Sequence, residues 1–164
     1  MNQTSNSWNS SITRVPTHAR GFTLIELLIV MAILGIITAA GVSTYARESR
    51  VSLVRQVATQ LQADFEDLRS KTIRFNNDGK FTLDSDSQYT LDIPTDGTPT
   101  PKVRTTPTNV TITAVTATPS SFSYKSPFSQ VSAVSRVYQV KFDDIELFVK
   151  VIGVTGRAVQ SATN

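Results

Sequence analysis

The feature that most constrains this chain is an apolar run over residues 22–45, which reads FTLIELLIVMAILGIITAAGVSTY and contains one charged residue, Glu26. A helix rises about 1.5 Å per residue, so about 20 apolar residues cross the hydrocarbon core of a bilayer. The run has that length and predicts a membrane-spanning helix. Arg14 and Arg20 precede it, and the positive-inside bias predicts that they stay in the cytoplasm while the C-terminal bulk lies outside the inner membrane.

An ordinary secretory signal peptide is the competing interpretation of this run. Such a peptide has an apolar stretch of about 7–15 residues, followed by a small-residue cleavage site. The run here is longer, and a polar stretch, residues 1–21, lies before it. A cut between Gly21 and Phe22 would therefore retain the hydrophobic segment in the mature protein.

The net positive charge of the chain comes largely from that polar leader. The whole chain has 16 Lys and Arg residues against 13 Asp and Glu residues. Two of the 16, Arg14 and Arg20, precede residue 22 and no acidic residue does, which leaves 14 basic against 13 acidic residues in the remainder. This near balance does not indicate a nucleic-acid-binding face spread over the whole protein. There is no cysteine, so no disulfide and no thiolate chemistry are expected.

Glu26 is the residue of the apolar run that most strongly indicates a function. A carboxylate deep in a bilayer costs about 2.5–3.5 kcal/mol, so charged residues there tend to mark functional positions. Glu26 lies four residues after Phe22, close to the start of the run. The alternative to a functional role is that its carboxylate reaches the membrane interface or is protonated. A functional role requires a partner, and a free amine created by cutting before Phe22 would be one.

Residues 20–30, Arg-Gly-Phe-Thr-Leu-Ile-Glu-Leu-Leu-Ile-Val, resemble the type III signal of type IV prepilins and pseudopilins. The resemblance implies that a prepilin peptidase cuts after Gly21 and that the new N-terminal amine of Phe22 is methylated. It also implies that Glu26 pairs with the N-terminal amine of an adjacent subunit during assembly. The chain departs from this family in its long leader, in Ser43 where major pilins often have proline, and in lacking their C-terminal cysteine pair.

A second resemblance covers residues 61–76, which read LQADFEDLRSKTIRFN. This segment is similar to the helix end of H-type pseudopilins of type II secretion and of minor pilins of the FimT type. Those proteins carry a Leu-x-x-Ala-Arg-Ser-x-Ala-Ile-x-x-Asn pattern and a β-rich domain that ends near Gly-Arg. Here Leu68 and Thr72 replace the two alanines of that pattern, and residues 155–157, Thr-Gly-Arg, match the ending.

Hydrophobic periodicity predicts an α+β fold. Apolar side chains recur at steps of three and four from Val51 to Phe75, which indicates one long helix from near Phe22 to near Phe75, with a cap and turn at residues 76–79. Period-two patterns then predict an antiparallel β-sheet domain packed on the helix. The predicted strands are residues 80–83, 87–93, 102–106, 109–117, 122–125, 136–142, 145–152 and 157–160.

These patterns divide the chain into four segments. Residues 1–21 are predicted to be a cleaved leader, and residues 22–45 a transmembrane helix that enters the filament core. Residues 46–78 are predicted to form an amphipathic helix and a turn, and residues 79–164 a β-rich globular domain.

No constellation of catalytic residues is visible, so the protein is predicted not to be an enzyme and to need no cofactor. The only histidine is His18, in the leader, and no phosphate loop or zinc-ligand set is present. Two acidic groups contain residues of the type that binds calcium, but they lack the spacing of an EF-hand, so we interpret them as solvated turns. They are Asp84, Asp86 and Asp92, and Asp143, Asp144 and Glu146. Of the aromatic residues, Phe122, Tyr124 and Phe128 were interpreted as sheet core and not as an exposed patch.

DNA binding is the alternative function that the second resemblance raises, because some FimT-type pilins bind DNA through a basic Gly-Arg-x-Arg loop. Residues 156–159 read Gly-Arg-Ala-Val, so only Arg157 is available as a possible DNA contact. A single arginine neutralises few phosphates. A stronger DNA-binding site would require four basic residues on one face of the domain: Arg136, Lys141, Lys150 and Arg157.

The predicted function is a structural subunit, of the minor class, of a type IV pilus or a type II secretion pseudopilus. Its predicted partners are the prepilin peptidase, other pilin or pseudopilin subunits and the inner membrane, with DNA as a possible further partner. The alternatives are a DNA-binding minor pilin for natural transformation, that is, for competence, and a major pilin. A further hypothesis is an enzyme attached to the membrane by an ordinary anchor, but no catalytic residues in the sequence support it.

Overall fold

The computed structural model describes residues 22–115, 120–131 and 134–162, with the backbone alone for residues 40–44. The predictions for the leader, including Gly21 and His18, lie outside the described residues. Contacts divide the chain into two compact units, Met1–Gly41 and Val42–Asn164. One helix is present in the described ranges, α1 (Leu24–Phe75), and its residues belong to both units.

The first part of α1 and the residues just before it expose their apolar side chains. All large apolar residues between residues 22 and 37 are exposed, from 45% of the side chain for Val30 to 83% for Phe22. Apolar area removed from water is favourable by about 25 cal/mol per Å², so a surface of this kind is stable only when something covers it.

A separate result concerns the membrane. Within the described ranges, no helix of the chain is long and apolar enough to cross a bilayer.

The end of α1 follows from its last residues. Asn76 adopts a left-handed backbone conformation, with φ of 47°, directly after Phe75. Asparagine tolerates this conformation better than most residues and therefore often terminates helices. The predicted helix end near Phe75 is confirmed, and the chain enters the first strand three residues after the cap, at Gly79.

Eight strands follow in the order that the sequence patterns predict, and every pairing between them is antiparallel. They are β1 (Gly79–Ser85), β2 (Gln88–Ile93), β3 (Thr100–Thr105), β4 (Thr111–Ala114), β5 (Ser121–Tyr124), β6 (Arg136–Phe142), β7 (Ile145–Val151) and β8 (Ala158–Ser161).

The strands form two antiparallel sheets. The sequence patterns predicted an antiparallel β-sheet domain but did not indicate that its strands separate into two sheets. The first sheet has the order β3-β2-β1-β5 and the second the order β4-β6-β7-β8. The chain leaves the first sheet at a turn in which the hydroxyl of Thr106 donates a 2.7 Å hydrogen bond to the carbonyl of Val110. Asn109, inside this turn, has a φ of 70°.

Phe65 of α1 joins the two sheets at the centre of the core. Its side chain is fully buried, and its ring lies 4.9 Å from the ring of Phe81 in β1 and 5.5 Å from the ring of Tyr138 in β6. Aromatic pairs in such tilted and edge-on arrangements add stabilisation beyond that of the buried area. The stripe predicted from the sequence supplies this core, because Val54, Leu61 and Leu68 are buried with Phe65.

Side chains of α1 also satisfy the backbone of the last strand. The amide of Gln62 donates a 3.0 Å hydrogen bond to the carbonyl of Ala158, and the N–H of Ala158 donates a 2.8 Å hydrogen bond to Oε1 of Glu66. The outer edge of β8 is therefore bonded to the helix at Ala158, where an edge strand otherwise leaves its backbone groups unpaired.

Candidate functional site

The first turn of α1 positions the acidic residue singled out from the sequence. The hydroxyl of Thr23 accepts a 3.3 Å hydrogen bond from the backbone N–H of Glu26, and the carbonyl of Thr23 accepts a 3.2 Å hydrogen bond from the N–H of Leu27. Thr23 is thus the N-cap residue, a role for which threonine is favoured. A carboxylate in the first turn also interacts favourably with the helix dipole, which makes Glu26 compatible with a helix start.

The arrangement fixes where Glu26 stands relative to the predicted new N-terminus. Phe22 and Thr23 are the two residues before the helix, and Glu26 is the only charged side chain in the first part of α1, up to residue 37. Its neighbours along the helix are exposed apolar side chains. Residues 22–37 therefore offer one acid among exposed apolar side chains, which suits a single charge-assisted contact with a cation.

A buried carboxylate in the C-terminal unit was not singled out from the sequence as a site residue. Asp64 lies on α1 with 3% of its surface exposed. Its Oδ2 accepts a 2.9 Å hydrogen bond from the hydroxyl of Tyr89 and a 3.2 Å hydrogen bond from Nε of Arg104. Nζ of Lys102 lies 3.3 Å from Oδ1 of Asp64. The four residues, here called the Asp64 cluster, connect α1 to β2 and β3.

The protonation of the Asp64 cluster follows from these contacts. Burial by itself raises the pKa of Asp64, but hydrogen bonds from Tyr89 and Arg104 and the charge of Lys102 outweigh it, so the pKa lies below its usual value of 3.8. Burial, with the neighbouring Asp64 charge, raises the pKa of the Tyr89 hydroxyl. Asp64 therefore remains a carboxylate and Tyr89 a neutral donor at neutral pH, which makes the cluster a structural tie.

A small cleft opens beside the Asp64 cluster. Its volume is about 180 Å³, and its walls include Gln60, Tyr89 and Arg104. Sites for drug-sized molecules usually measure about 300–1,000 Å³, so the cleft is small for such a ligand.

Gly156, in the Thr-Gly-Arg segment matched from the sequence, is required for steric reasons. Gly156 has a φ of 64°, and its carbonyl accepts a 2.9 Å hydrogen bond from the hydroxyl of Tyr124. A Cβ atom at this position would stand 2.4 Å from the carbonyl oxygen of Ser129. Only glycine combines this backbone conformation with this close approach. Arg157, which follows, is exposed.

The four basic residues weighed for DNA binding are separated by the register of the second sheet. Arg136 pairs with Val151 and Lys150 with Val137, so the side chains of Arg136 and Lys150 project to opposite faces. Lys141 shares a face with Lys150, but it lies near the other end of β6, directly opposite Glu146. By this register Arg157 shares a face of the sheet with Lys150 and not with Arg136, so the four residues are not gathered into one basic site.

The acidic residues weighed as metal ligands do not converge either. In the described part of the chain, no group of three or more acidic, histidine or cysteine side chains is arranged to hold a metal ion. Asp143 is instead paired with Arg50 at 2.8 Å, and Asp84 accepts a 2.6 Å hydrogen bond from the hydroxyl of Thr90.

Two of the three aromatic residues interpreted as core are buried, and one is not. Phe122 and Tyr124 pack in the core with their ring centroids 5.3 Å apart. Phe128 is 74% exposed, so its assignment to the core was wrong. It follows Pro127 in the turn after β5, and its period-two position no longer applies once the strand has ended at Tyr124.

The helix and the two sheets define a pilin fold, in which a long N-terminal helix is packed on an antiparallel β-sheet domain. The predicted α+β fold class is thereby confirmed. A family model described as the prokaryotic N-terminal methylation motif matches residues 16–42. No functionally curated protein shows significant sequence similarity to the chain.

Among solved structures, the chain is similar to the type IV minor pilin FimU of Pseudomonas aeruginosa strain PAO1 in two crystal forms. In space group P21 the TM-score is 0.55 and the identity 11%, with 68% of this chain and 90% of FimU covered. In space group P65 the TM-score is 0.53 and the identity 12%, with 67% and 94% covered. The methylation motif and the fold together support the type IV pilin and pseudopilin family.

Proposed function

We propose that this chain is a structural subunit, of the minor class, of a type IV pilus or a type II secretion pseudopilus. The observation that carries the proposal is the placement of Glu26 in the first turn of an exposed apolar helix, four residues after Phe22. The methylation motif spans this position, and FimU, the structural relative, is a minor pilin. The role is structural and not enzymatic, because the pilin fold is what the chain shares with that relative.

The proposed maturation begins with a cut between Gly21 and Phe22 by a prepilin peptidase. The cut creates a free amine on Phe22, which is then methylated and remains a cation. The apolar helix that begins at Leu24 is held by the inner membrane before assembly, with the C-terminal unit on its outer side. In the filament, the same apolar side chains pack against the helices of neighbouring subunits.

Glu26 selects the register in which subunits assemble. Two opposite charges attract strongly where water is excluded, but a charge left without a partner there is costly. Pairing of the Glu26 carboxylate with the Phe22 amine of an adjacent subunit satisfies both groups in one register. A subunit displaced along the helix axis leaves both unpaired, so the pair acts against misassembly.

The experiment that tests this function determines the N-terminus of the full-length protein recovered from membranes. Intact mass and terminal peptide sequencing are compared between cells that contain the prepilin peptidase and cells that lack it. We expect a chain that starts at N-methylated Phe22 only when the peptidase is present. A chain that still starts at Met1, or one cut after Tyr45, would overturn the proposal.

A further inference from the structure

The outer side of β3 is an unpaired edge of the first sheet. β3 pairs with β2, and no strand of the described ranges pairs with its other side. The N–H of Thr106 donates a 2.9 Å hydrogen bond to the carbonyl of Ser87, and the β2–β3 register continues from there without a shift. Because bonding direction alternates along an antiparallel strand, the N–H and C=O groups of Val103 and Thr105 point away from β2. An added strand can therefore bond to all four groups.

The side chains of β3 present different chemistry on the two faces of the sheet. Lys102 and Arg104 lie on the face toward α1, where both contact Asp64. Val103 lies on the opposite face and is 55% exposed. Directly opposite side chains on neighbouring strands are close enough to interact. A strand in which acidic and apolar side chains alternate is therefore the complement of β3.

A groove extends from this edge onto α1. The cleft of about 180 Å³ beside the Asp64 cluster is walled by Gln56 and Gln60 of α1 and by Arg104 and Thr105 of β3. The same two glutamines line a second cleft of about 400 Å³, so the two clefts adjoin. The other lining residues of the second cleft all belong to α1, and they are Ser52, Arg55, Thr59 and Ala63. Side chains of an added strand on the α1 face thus have space beside the edge.

The groove contains more positive than negative charge. Lys102 and Arg104 share one buried carboxylate, that of Asp64. Arg55 is exposed and forms no ion pair with the described residues. Three cations therefore face one acid, and the excess favours a ligand that brings carboxylates.

Three further acids lie near the groove, but none stands opposite the middle of β3. Asp67 is paired with Lys71 at 2.8 Å. Glu48 precedes Arg55 on α1 by seven residues, which is about 10 Å along the axis. Asp86 lies in the β1–β2 turn, beside the C-terminal end of β3. Ligand acids are therefore favoured at the middle of the strand and not at that end.

The other face of the sheet disfavours acids. Thr90 stands directly opposite Val103, and its hydroxyl donates a 2.6 Å hydrogen bond to Asp84. Asp92, two residues further along β2, shares this face and stands opposite Lys80 of β1. Carboxylates of an added strand are therefore directed to the α1 face, and apolar side chains to the face of Val103.

We propose that the outer edge of β3 binds an extended acidic segment of another protein, which joins the first sheet as an antiparallel strand. Its backbone bonds to Val103 and Thr105, and its acidic side chains lie beside Lys102 and Arg104. This goes beyond the structural role, because it gives the C-terminal unit a peptide ligand. Since the cations are partly exposed, the affinity falls as salt screens them.

A second copy of the chain does not supply this segment. Acids two residues apart, as the proposed strand requires, occur at three places in the chain, and all three lie in folded elements or the turns next to them. They are Asp64 and Glu66 in α1, Asp84 and Asp86 at the end of β1, and Asp144 and Glu146 at the start of β7.

The test measures binding of a fluorescent peptide, Thr-Val-Glu-Val-Glu-Val-Thr, to the full chain in detergent micelles by fluorescence anisotropy. We expect saturation below about 1 mM and at least tenfold weaker binding of the peptide with lysine in place of glutamate. In the antiparallel pairing the valine N–H groups face β3. N-methylation of the central valine should therefore weaken binding at least tenfold, and N-methylation of one glutamate about twofold or less.

One substitution tests the edge itself. Val103→Pro removes an outward N–H while leaving the β2 pairing intact, as Pro101 does at the preceding outward position. We expect at least tenfold weaker binding, whereas the matched control Val103→Thr keeps the N–H and changes binding about threefold or less. Hydrogen exchange of the Val103 and Thr105 amides should slow when the glutamate peptide is bound.

The outcomes that overturn the proposal are specific. They are no saturation by about 1 mM, equal binding of the glutamate and lysine peptides, and binding that Val103→Pro or valine N-methylation leaves unchanged. Thermal denaturation of each variant shows that it is folded. Because the assay uses purified chain, its result does not depend on processing at Phe22 or on incorporation into a filament, so it is distinguishable from failure of the proposed function.

Discussion

The hydroxyl of Tyr89 in β2 donates a 2.9 Å hydrogen bond to Oδ2 of Asp64 in the C-terminal half of α1. The same carboxylate forms ion pairs with Lys102 and Arg104 of β3. A tie of this kind resists separation of the helix from the outer strands of the first sheet, because any such movement leaves a buried charge without its donors.

The first prediction is that Asp64→Asn destabilises the protein. The substitution keeps the size of the side chain but removes the charge that Lys102 and Arg104 face. Since these two cations are about one-third exposed, water offsets part of the loss, and we expect about 2–3 kcal/mol in the free energy of unfolding. Chemical denaturation of the full chain in detergent micelles measures it. Asp67→Asn, which breaks only the exposed pair with Lys71, should cost about 0.5 kcal/mol or less.

The second prediction concerns pH. The unfolded chain titrates Asp64 near 3.8, and the folded chain titrates it lower, so the stabilisation from its charge is fully present above that value. It is lost as the pH falls through the lower, folded pKa. We therefore expect the stability difference between the native chain and Asp64→Asn to be constant from about pH 7 to pH 5 and to shrink below about pH 4. A difference that grows on acidification would contradict the assigned direction.

The third prediction concerns Gly156. Gly156→Ala forces a side chain onto a left-handed backbone and against the carbonyl oxygen of Ser129. We expect a loss of about 1–3 kcal/mol in the free energy of unfolding, seen as a lower midpoint of thermal denaturation. Gly97→Ala is the matched control, because no atom lies within 4 Å of the added Cβ and its φ is not in the left-handed region.

The fourth prediction compares a buried aromatic residue, Phe65, with an exposed one, Phe128. Phe65→Ala removes a fully buried ring that contacts Phe81 and Tyr138, and we expect it to cost about 3–5 kcal/mol. Phe128→Ala removes an exposed ring and should change the free energy of unfolding of the isolated chain by about 0.5 kcal/mol or less. Equal effects of the two substitutions in denaturation would contradict the assignment of Phe128 to the surface.

The fifth prediction concerns assembly. Glu26→Gln keeps the N-cap hydrogen bond, because that bond uses the backbone N–H of residue 26 and the hydroxyl of Thr23. We expect normal processing and methylation at Phe22 but a loss of about tenfold or more in the amount recovered in sheared filaments or pseudopili. Glu48→Gln, an exposed acid on the same helix, should be recovered like the native chain.

The helix and the strand order were predictable from the sequence because both depend on local periodicity. The apolar steps from Val51 to Phe75 identify the buried face of α1 without reference to any other element. The division into two sheets was not predictable in this way, since alternation in β3 and β4 does not state which strand each will pair with. That choice is made by pairings between residues far apart in the sequence, such as Thr111 with Lys141.

The Asp64 cluster was missed for a related reason. Asp64 stands among Glu66, Asp67 and Arg69 in the sequence, and all read as charges on a solvated helix face. The residues that bury and pair it, Tyr89 and Arg104, are 25 and 40 positions away. The position of Asp64 next to Phe65, which lies in the buried stripe, could have indicated that Asp64 is buried. The sequence alone does not indicate which strand covers it.

The hydrogen bonds that join Ala158 to Gln62 and Glu66 connect parts of the chain that are synthesised at different times. They span 96 and 92 residues, so the groups that receive the last strand are synthesised long before it. Closure of so long a loop is slow relative to hairpin formation. A nascent or truncated chain without β8 presents Glu66 as a carboxylate without its backbone donor and β7 as an open edge. Addition of β8 therefore both covers the open edge of β7 and gives Glu66 its backbone donor.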